Sequence, residues 1–296
     1  MDKEQLESYI RAGKINSHAL DLAVKMIKSG TAVVEILDKV EEFIRKEGAI
    51  PAFPAQISLN NVAAHFCPLN DELKLADGDI VKIDIGVCVN GYIADAARTV
   101  DLGENKELVN ASKLALKNAL SIVKPGVEIG EIGKVIHETI SNQGFTPIKN
   151  LSGHGLGRFE IHSTPSIPNV TTGIKTVLKE DQVIAIEPFA TNGMGIVYES
   201  GNPTVFSFIG EKPIRNQTSR KMIQDIKKYD GLPFTLRWLI PKYGVASAQL
   251  ALREMIQAGM IIQHPPLLEK GKGFVSQAEH SVIVRDKPII YTKIDD

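Results

Sequence analysis

Five residues stand out by type and setting: Asp84, Asp95, His154, Glu187 and Glu279. Residues 79–100, DIVKIDIGVCVNGYIADAARTV, predict a hairpin, because two β-rich runs flank Asn90-Gly91, a favoured pair for a two-residue type I′ turn. With that turn as the loop, Val89 faces Tyr92 and Gly86 faces Asp95. Asp84 then shares a face with Asp95 as its diagonal neighbour, ~7–8 Å away at Cα. Gly86 puts no side chain in the gap. Two anions converging in a strand pair rich in Val and Ile repel unless a cation joins them. The plain alternative is a pair of solvated aspartates on an edge hairpin.

His154 is hemmed by Gly153, Gly155 and Gly157, which allow close backbone approach and unusual φ. A structural histidine is the competing reading. Glu187 ends the apolar run QVIAIEPF, where Pro188 stops ladder pairing. A carboxylate after VIAI points into a buried layer, which is costly unless it is paired or holds metal. Glu279-His280 before SVIV repeats that oddity. Four carboxylates, one imidazole and no thiolate favour Mn²⁺, Fe²⁺, Co²⁺ or Zn²⁺ over a structural zinc site. Four negative charges balance two divalent cations. A hydroxide bridging two ions ~3.5–4 Å apart is then the nucleophile, and the chain reads as a two-metal hydrolase. His65 with Cys67 is too small a set for a closed metal site.

The elements that must position these residues form an internal repeat. Residues 27–51 align without a gap to 123–147 at an offset of 96, with identities at Lys28/Lys124, Gly30/Gly126, Glu35/Glu131, Ile44/Ile140, Gly48/Gly144 and Pro51/Pro147. Each copy reads as the end of one helix, a turn at glycine, then an amphipathic helix closed by Gly48 or Gly144. LADGDIVKIDIG (75–86) then matches LKEDQVIAIEPF (178–189) at an offset of 103, which superposes Asp84 on Glu187. Two similar halves, each a pair of helices leading into strands, are expected. Matched acids would meet between them.

Composition narrows the classes. The 296 residues are 43% hydrophobic and 23% charged, an ordinary globular balance. Lys and Arg number 34 against 35 Asp and Glu, so no global basic field exists for DNA or an anionic membrane. Two cysteines make no disulfide framework. The charged start, MDKEQLESYIRAGK, has no signal-peptide core, and no apolar run is long enough to span a membrane. The expected location is the cytoplasm.

The order of these motifs resembles methionine aminopeptidase. IDIG with Asp84, GYIADAART with Asp95, GHGLG with His154, IEPF with Glu187 and QAEHSVIV with Glu279 carry the likeness. It looks like the type 2 class, and like its short archaeal members, by PAFPAQISLNNVAAHF (51–66) and by the 92-residue gap between Glu187 and Glu279. The resemblance implies the pseudo-twofold "pita-bread" α/β (α+β) fold, a curved antiparallel sheet covered by helices. It places a catalytic domain at 1–210 and 271–296 and a small helical insert at 211–270.

Carried over by motif, Asp95, His154, Glu187 and Glu279 would hold one ion. Asp84, Asp95 and Glu279 would hold the other, with Asp95 and Glu279 bridging. Glu187 would act as general base and then acid. His162 would hydrogen-bond the scissile carbonyl oxygen, and His65 would contact the peptide nitrogen beyond the scissile bond. Phe53 and Ile161 would wall the methionine pocket. Where type 2 enzymes usually carry Tyr before Pro-Pro, this chain has His264, at the pocket entrance, which puts pocket size in doubt. The implied substrate is the initiator methionine of nascent chains with Ala, Gly, Ser, Thr or Val next.

The insert predicts two or three amphipathic helices with mixed charge. Six basic residues from Lys212 to Lys228 are candidates for a transient ribosome contact, although a solvated face explains them equally well. A monomer is expected. Two rival readings keep the same fold: an enzyme cleaving before proline or acting on creatine-like amidines, and a binding protein that has lost catalysis. The insert and NNVAAHF argue against the first, and the complete ligand set argues against the second.

Overall fold

A computed structural model describes residues 1–293. Residues 294–296, the end of the expected catalytic domain, lie outside the described residues.

The repeat is realised bond for bond. Helix α1 (Lys3–Met26) precedes α2 (Val33–Lys46), and α3 (Lys106–Ser121) precedes α4 (Ile129–Asn142). Gly30 and Gly126 adopt φ of 88° and 86°, and Gly48 and Gly144 adopt 73° and 81°, left-handed values that cost glycine least. Gly30 N–H donates to the Leu75 carbonyl at 2.7 Å, and Gly126 N–H to that of Leu178 at 2.8 Å. Val33 N–H to Leu73 and Ile129 N–H to Thr176 are both 2.9 Å. Ala52 N–H to Gly86 and Ile148 N–H to Phe189 complete the pairs at 2.9 and 3.0 Å. Every pair keeps the spacings of the sequence repeat.

Each half has its own sheet and apolar core. In the first, the strand Ile80–Val89 is flanked by Tyr92–Asp101 on one edge and by Ile50–Pro51 and Gln56–Leu59 on the other. Its core joins Leu20, Ile36, Leu37, Ile57, Ile83 and Ile85. In the second, five antiparallel strands run Ile289–Ile290, His280–Ile283, Val183–Ile186, Ser152–Gly157, Glu160–Pro168. Ile132, Ile136, Ile184, Ile186 and Val282 fill that core.

Side-chain hydroxyls stitch the strand Tyr92–Asp101 of the first half to residues 277–281 of the second. Thr99 Oγ1 accepts from Gln277 N–H at 2.8 Å and donates to the Gln277 carbonyl at 2.6 Å. Ser281 Oγ accepts from Asp95 N–H at 2.9 Å and donates to the Asp95 carbonyl at 2.7 Å. Between them, Glu279 N–H reaches the Ala97 carbonyl directly at 3.0 Å. A hydroxyl therefore sits between the backbones at either end of this seam. Lys82, fully buried, adds 3.0 Å bonds to the carbonyls of Asn60 and Val275, and burial lowers its pKa to about 7.

Residues 211–270 carry α5 (Gln217–Ile226), the one-turn α6 (Ile240–Tyr243) and α7 (Val245–Gln257). Phe206, Met222, Ile226, Phe234, Met255 and Ile261 build a separate cluster beneath them. The segment is rooted in a ribbon that pairs Val205–Phe208 with Ile261–His264. Leu267–Glu269, within the same range, pair with Val197–Glu199 and Val62–Ala64 outside it. Arg237 fastens the helices to α2: it pairs with Asp38 and, at 2.7 Å, with Glu41, which also accepts from Trp238 Nε1 at 2.6 Å.

Candidate metal centre

The hairpin register is the one the turn requires. Asn90 and Gly91 adopt φ of 54° and 90°, Val89 pairs with Tyr92, and Gly86 pairs with Asp95. Asp84 and Asp95 therefore share a face, Asp84 on the central strand Ile80–Val89 and Asp95 on its neighbour Tyr92–Asp101. The space beside Gly86 is taken by the Phe53 ring, which a Cβ there would meet at 2.3 Å.

The glycines around His154 act by contact alone. None of Gly153, Gly155 and Gly157 has a positive φ. A Cβ at Gly153 would stand 2.3 Å from the Ala185 carbonyl oxygen, and one at Gly155 would stand 2.2 Å from that of Thr164. The His154 strand is thus pressed between its two neighbours. Glu187 and Pro188 fall between the strands Val183–Ile186 and Phe189–Thr191, so the ladder breaks where expected. Asn169 Nδ2 holds the Glu187 carbonyl at 3.1 Å.

Asp95, His154 and Glu279 each bring a ligand atom within 4.8 Å of the others. His154 Nε2 lies 3.8 Å from Asp95 Oδ2 and 3.7 Å from Glu187 Oε1. Asp84 joins through Gln277, whose Nε2 donates to Asp84 Oδ2 at 3.2 Å and to Glu279 Oε2 at 3.5 Å. Asp84 and Glu187 border the tight triad without belonging to it. Asp84 Oδ1 and Asp95 Oδ1 are buried with no hydrogen-bond partner.

Burial, then mutual repulsion, sets the electrostatics. Burial raises Asp84 to about 6, although Gln277 opposes the rise. It raises Asp95, Glu187 and Glu279 well above the usual carboxylate range, with Asp84 among the repelling charges each time. His154 falls to about 4, through burial and then His162. Its Nδ1 is 3.2 Å from the Gly155 carbonyl, which can only accept, so Nδ1 donates. Nε2 then turns a lone pair toward two carboxylates. Converging carboxyl oxygens, two of them without a hydrogen-bond partner, beside an imidazole lone pair are the arrangement a divalent cation completes.

All ten sequence-predicted residues line one cavity of about 710 Å³: the five above with Phe53, His65, Ile161, His162 and His264. The His162 ring stands edge-on to His154, with centroids 4.6 Å apart. It touches cavity solvent, yet burial and then His264 lower its pKa. His65 takes φ of 64°, donates its N–H to Gln56 Oε1 at 2.8 Å, and drops to about 4 through burial and then His264 and His162. His264 Nε2 lies 2.8 Å from Ser207 Oγ. Sequence reasoning missed Gln277, Asn169 and the Thr99 and Ser281 hydroxyls. Gln277 carried a signal, since it stands two residues before Glu279, a spacing that keeps one side in extended chain.

The sequence profile of Metallopeptidase family M24 matches residues 7–216. A methionine aminopeptidase of Archaeoglobus fulgidus is 45% identical, over 97% of this chain and 97% of its own. One of Methanocaldococcus jannaschii is 42% identical, over 99% of each. Among solved structures, the methionine aminopeptidase of Thermotoga maritima aligns with a TM-score of 0.73 at 25% identity, over 99% of this chain and 98% of that one. A thermophilic Arx1 aligns with a TM-score of 0.85 over 100% and 92%; its 16% identity marks a likeness of fold. The chain belongs to metallopeptidase family M24 and, within it, to the methionine aminopeptidases of the short archaeal form.

Proposed function

We propose that this metal-dependent aminopeptidase removes the initiator methionine from polypeptides whose second residue is Ala, Gly, Ser, Thr or Val. The observation that carries the reading is the set of four carboxylates and a neutral imidazole gathered in the lining of one cavity. Two divalent ions, Co²⁺, Mn²⁺, Fe²⁺ or Zn²⁺, fit this donor set. Asp95, His154, Glu187 and Glu279 would hold one, and Asp84, Asp95 and Glu279 would hold the other. Such ions supply Lewis acidity and lower the pKa of water.

The chain's own groups do the rest. Phe53 and Ile161, both buried at the cavity wall, receive the methionine side chain, with His264 at the entrance. His162 remains neutral near pH 7 and donates to the scissile carbonyl oxygen as charge grows there. His65, also neutral, contacts the peptide nitrogen beyond the scissile bond. Glu187 takes a proton from the attacking water and returns it to the leaving amine, a role suited to a carboxyl raised by burial.

We read 1–210 and 271–296 as the catalytic domain and 211–270 as the insert; the separate apolar cluster supports this division. A monomeric enzyme working in the cytoplasm on nascent chains completes the reading. No described helix is long and apolar enough to cross a membrane. For a transient ribosome contact, Lys227 and Lys228 are engaged by Glu211 and Asp225, which leaves Lys212, Arg215, Arg220 and Lys221.

The test is methionine release from Met-Ala-Ser after chelation and refilling with each ion, beside Ala-Pro-Ala. Metal-restored cleavage of the first peptide alone is expected. Cleavage of the proline peptide alone would transfer the site to the rival peptidase reading. Failure to bind metal would reopen the binding-protein reading.

A further inference from the structure

The ribbon that roots the insert has two faces. Phe206, Phe208 and Ile261 point into the insert's own cluster. Val205, Ser207, Ile209, Ile262 and His264 line the catalytic cavity. The register sets Val205 opposite His264 and Ser207 opposite Ile262, with Ile209 one step further out. Exposure grades along this face: Val205 is 3% exposed, Ile262 46% and Ile209 59%. The wall therefore starts beside the catalytic histidines and ends in solvent as a pair of exposed β-branched side chains.

We propose that this outer wall, Ile209 and Ile262, is the docking strip for the third and fourth residues of the substrate chain and favours apolar side chains there. The inference rests on the aminopeptidase reading above and extends it past the second residue. Continuity with the cavity fixes the occupant. A chain whose first residue lies against Phe53 and Ile161 must leave through the cavity mouth, and the ribbon face is continuous with that mouth. The strip also explains two isoleucines exposed at a mouth where polar residues would cost less. No charged side chain stands among the five ribbon residues, so the strip selects by apolar contact rather than by charge.

The test compares kcat/KM for Met-Ala-Leu-Leu amide and Met-Ala-Ser-Ser amide, with Met-Ala amide alongside. The intact metal-loaded enzyme should prefer the leucine peptide roughly tenfold, the scale set by partial burial of apolar side chains on both partners. In the double variant Ile209→Ser, Ile262→Ser, that ratio should fall to roughly twofold or less. Both positions are solvent-exposed, so the variant keeps its core, and an unchanged melting curve checks this. No preference in the intact enzyme, or a preference that survives the double substitution, overturns the proposal. Failure to release methionine from any of the three peptides instead sinks the aminopeptidase reading, which separates the two failures.

Discussion

Asp84 should destabilise the metal-free protein at neutral pH, and its replacement should reveal the cost. Burial lifts this carboxyl from 3.8 to about 6, so folding favours its protonated form. The sign follows from linkage. Below pH ~4 the group is protonated in both folded and unfolded chains and carries no penalty; between ~4 and ~6 the penalty grows, and above ~6 it is full. At ~1.4 kcal/mol per pH unit, a rise of about two costs ~3 kcal/mol at pH 8. Asp84→Asn keeps the acceptor for Gln277 and turns an amide N–H toward the site of the orphaned Oδ1, without the charge. The chelated variant should therefore melt above the chelated parent by roughly 6 °C at pH 8, at ~2 °C per kcal/mol for a chain of this length. The gain should shrink to about a third at pH ~4.5 and vanish below the unfolded pKa. Refilling with Co²⁺ should reverse the order, because the parent gains a ligand-bound state that the variant has weakened. Melting curves of both proteins, with and without metal at several pH values, decide the matter. A chelated variant that is less stable at pH 8, or a gain independent of pH, would refute the claim that charge burial strains this site.

His162→Ala should lower kcat about 10²–10³-fold while metal content by elemental analysis stays at the parent level; unchanged turnover would remove His162 from the mechanism. Gly86→Ala puts a methyl 2.3 Å from Phe53, which must shift, so stability should drop about 1–3 kcal/mol and KM for methionyl peptides should rise severalfold. An unaltered KM would show that Phe53 does not shape the pocket. Glu41→Ala takes the buried carboxylate partner from Arg237, leaving it Asp38 alone, and frees the Ala55 N–H, so about 3–5 kcal/mol should be lost, roughly 6–10 °C in Tm. Glu41→Gln, which keeps an acceptor without the charge, should lose less; equal losses would mean that the neutral acceptor retains nothing and the charge pair carries the whole contribution.

Much of the site was legible because its cues are local. A two-residue turn at Asn90-Gly91 fixes its own register, and with it the shared face of Asp84 and Asp95. Pro188 cannot donate to a ladder, so the break at Glu187 was readable. The glycines around His154 were only half readable. Composition indicates that backbone may pass close or bend unusually, and packing chose the first. The positive φ of His65 left no mark in the residue type.

The sequence by itself determined the doubled architecture, the strand pairing that aligns the acids, and the residue types that suit divalent metal, since turn chemistry and periodicity act over a few residues. Tertiary structure decided the joins between distant segments. Thr99 and Ser281 splice hydroxyls into a seam between strands about 180 residues apart, and that seam brings Glu279 to Asp95. Glu41 and Arg237 meet across 196 residues to fasten the insert to α2. Hydroxyls and ion pairs of this kind form with whatever partner packing delivers, and no spacing along the chain encodes which partner that is.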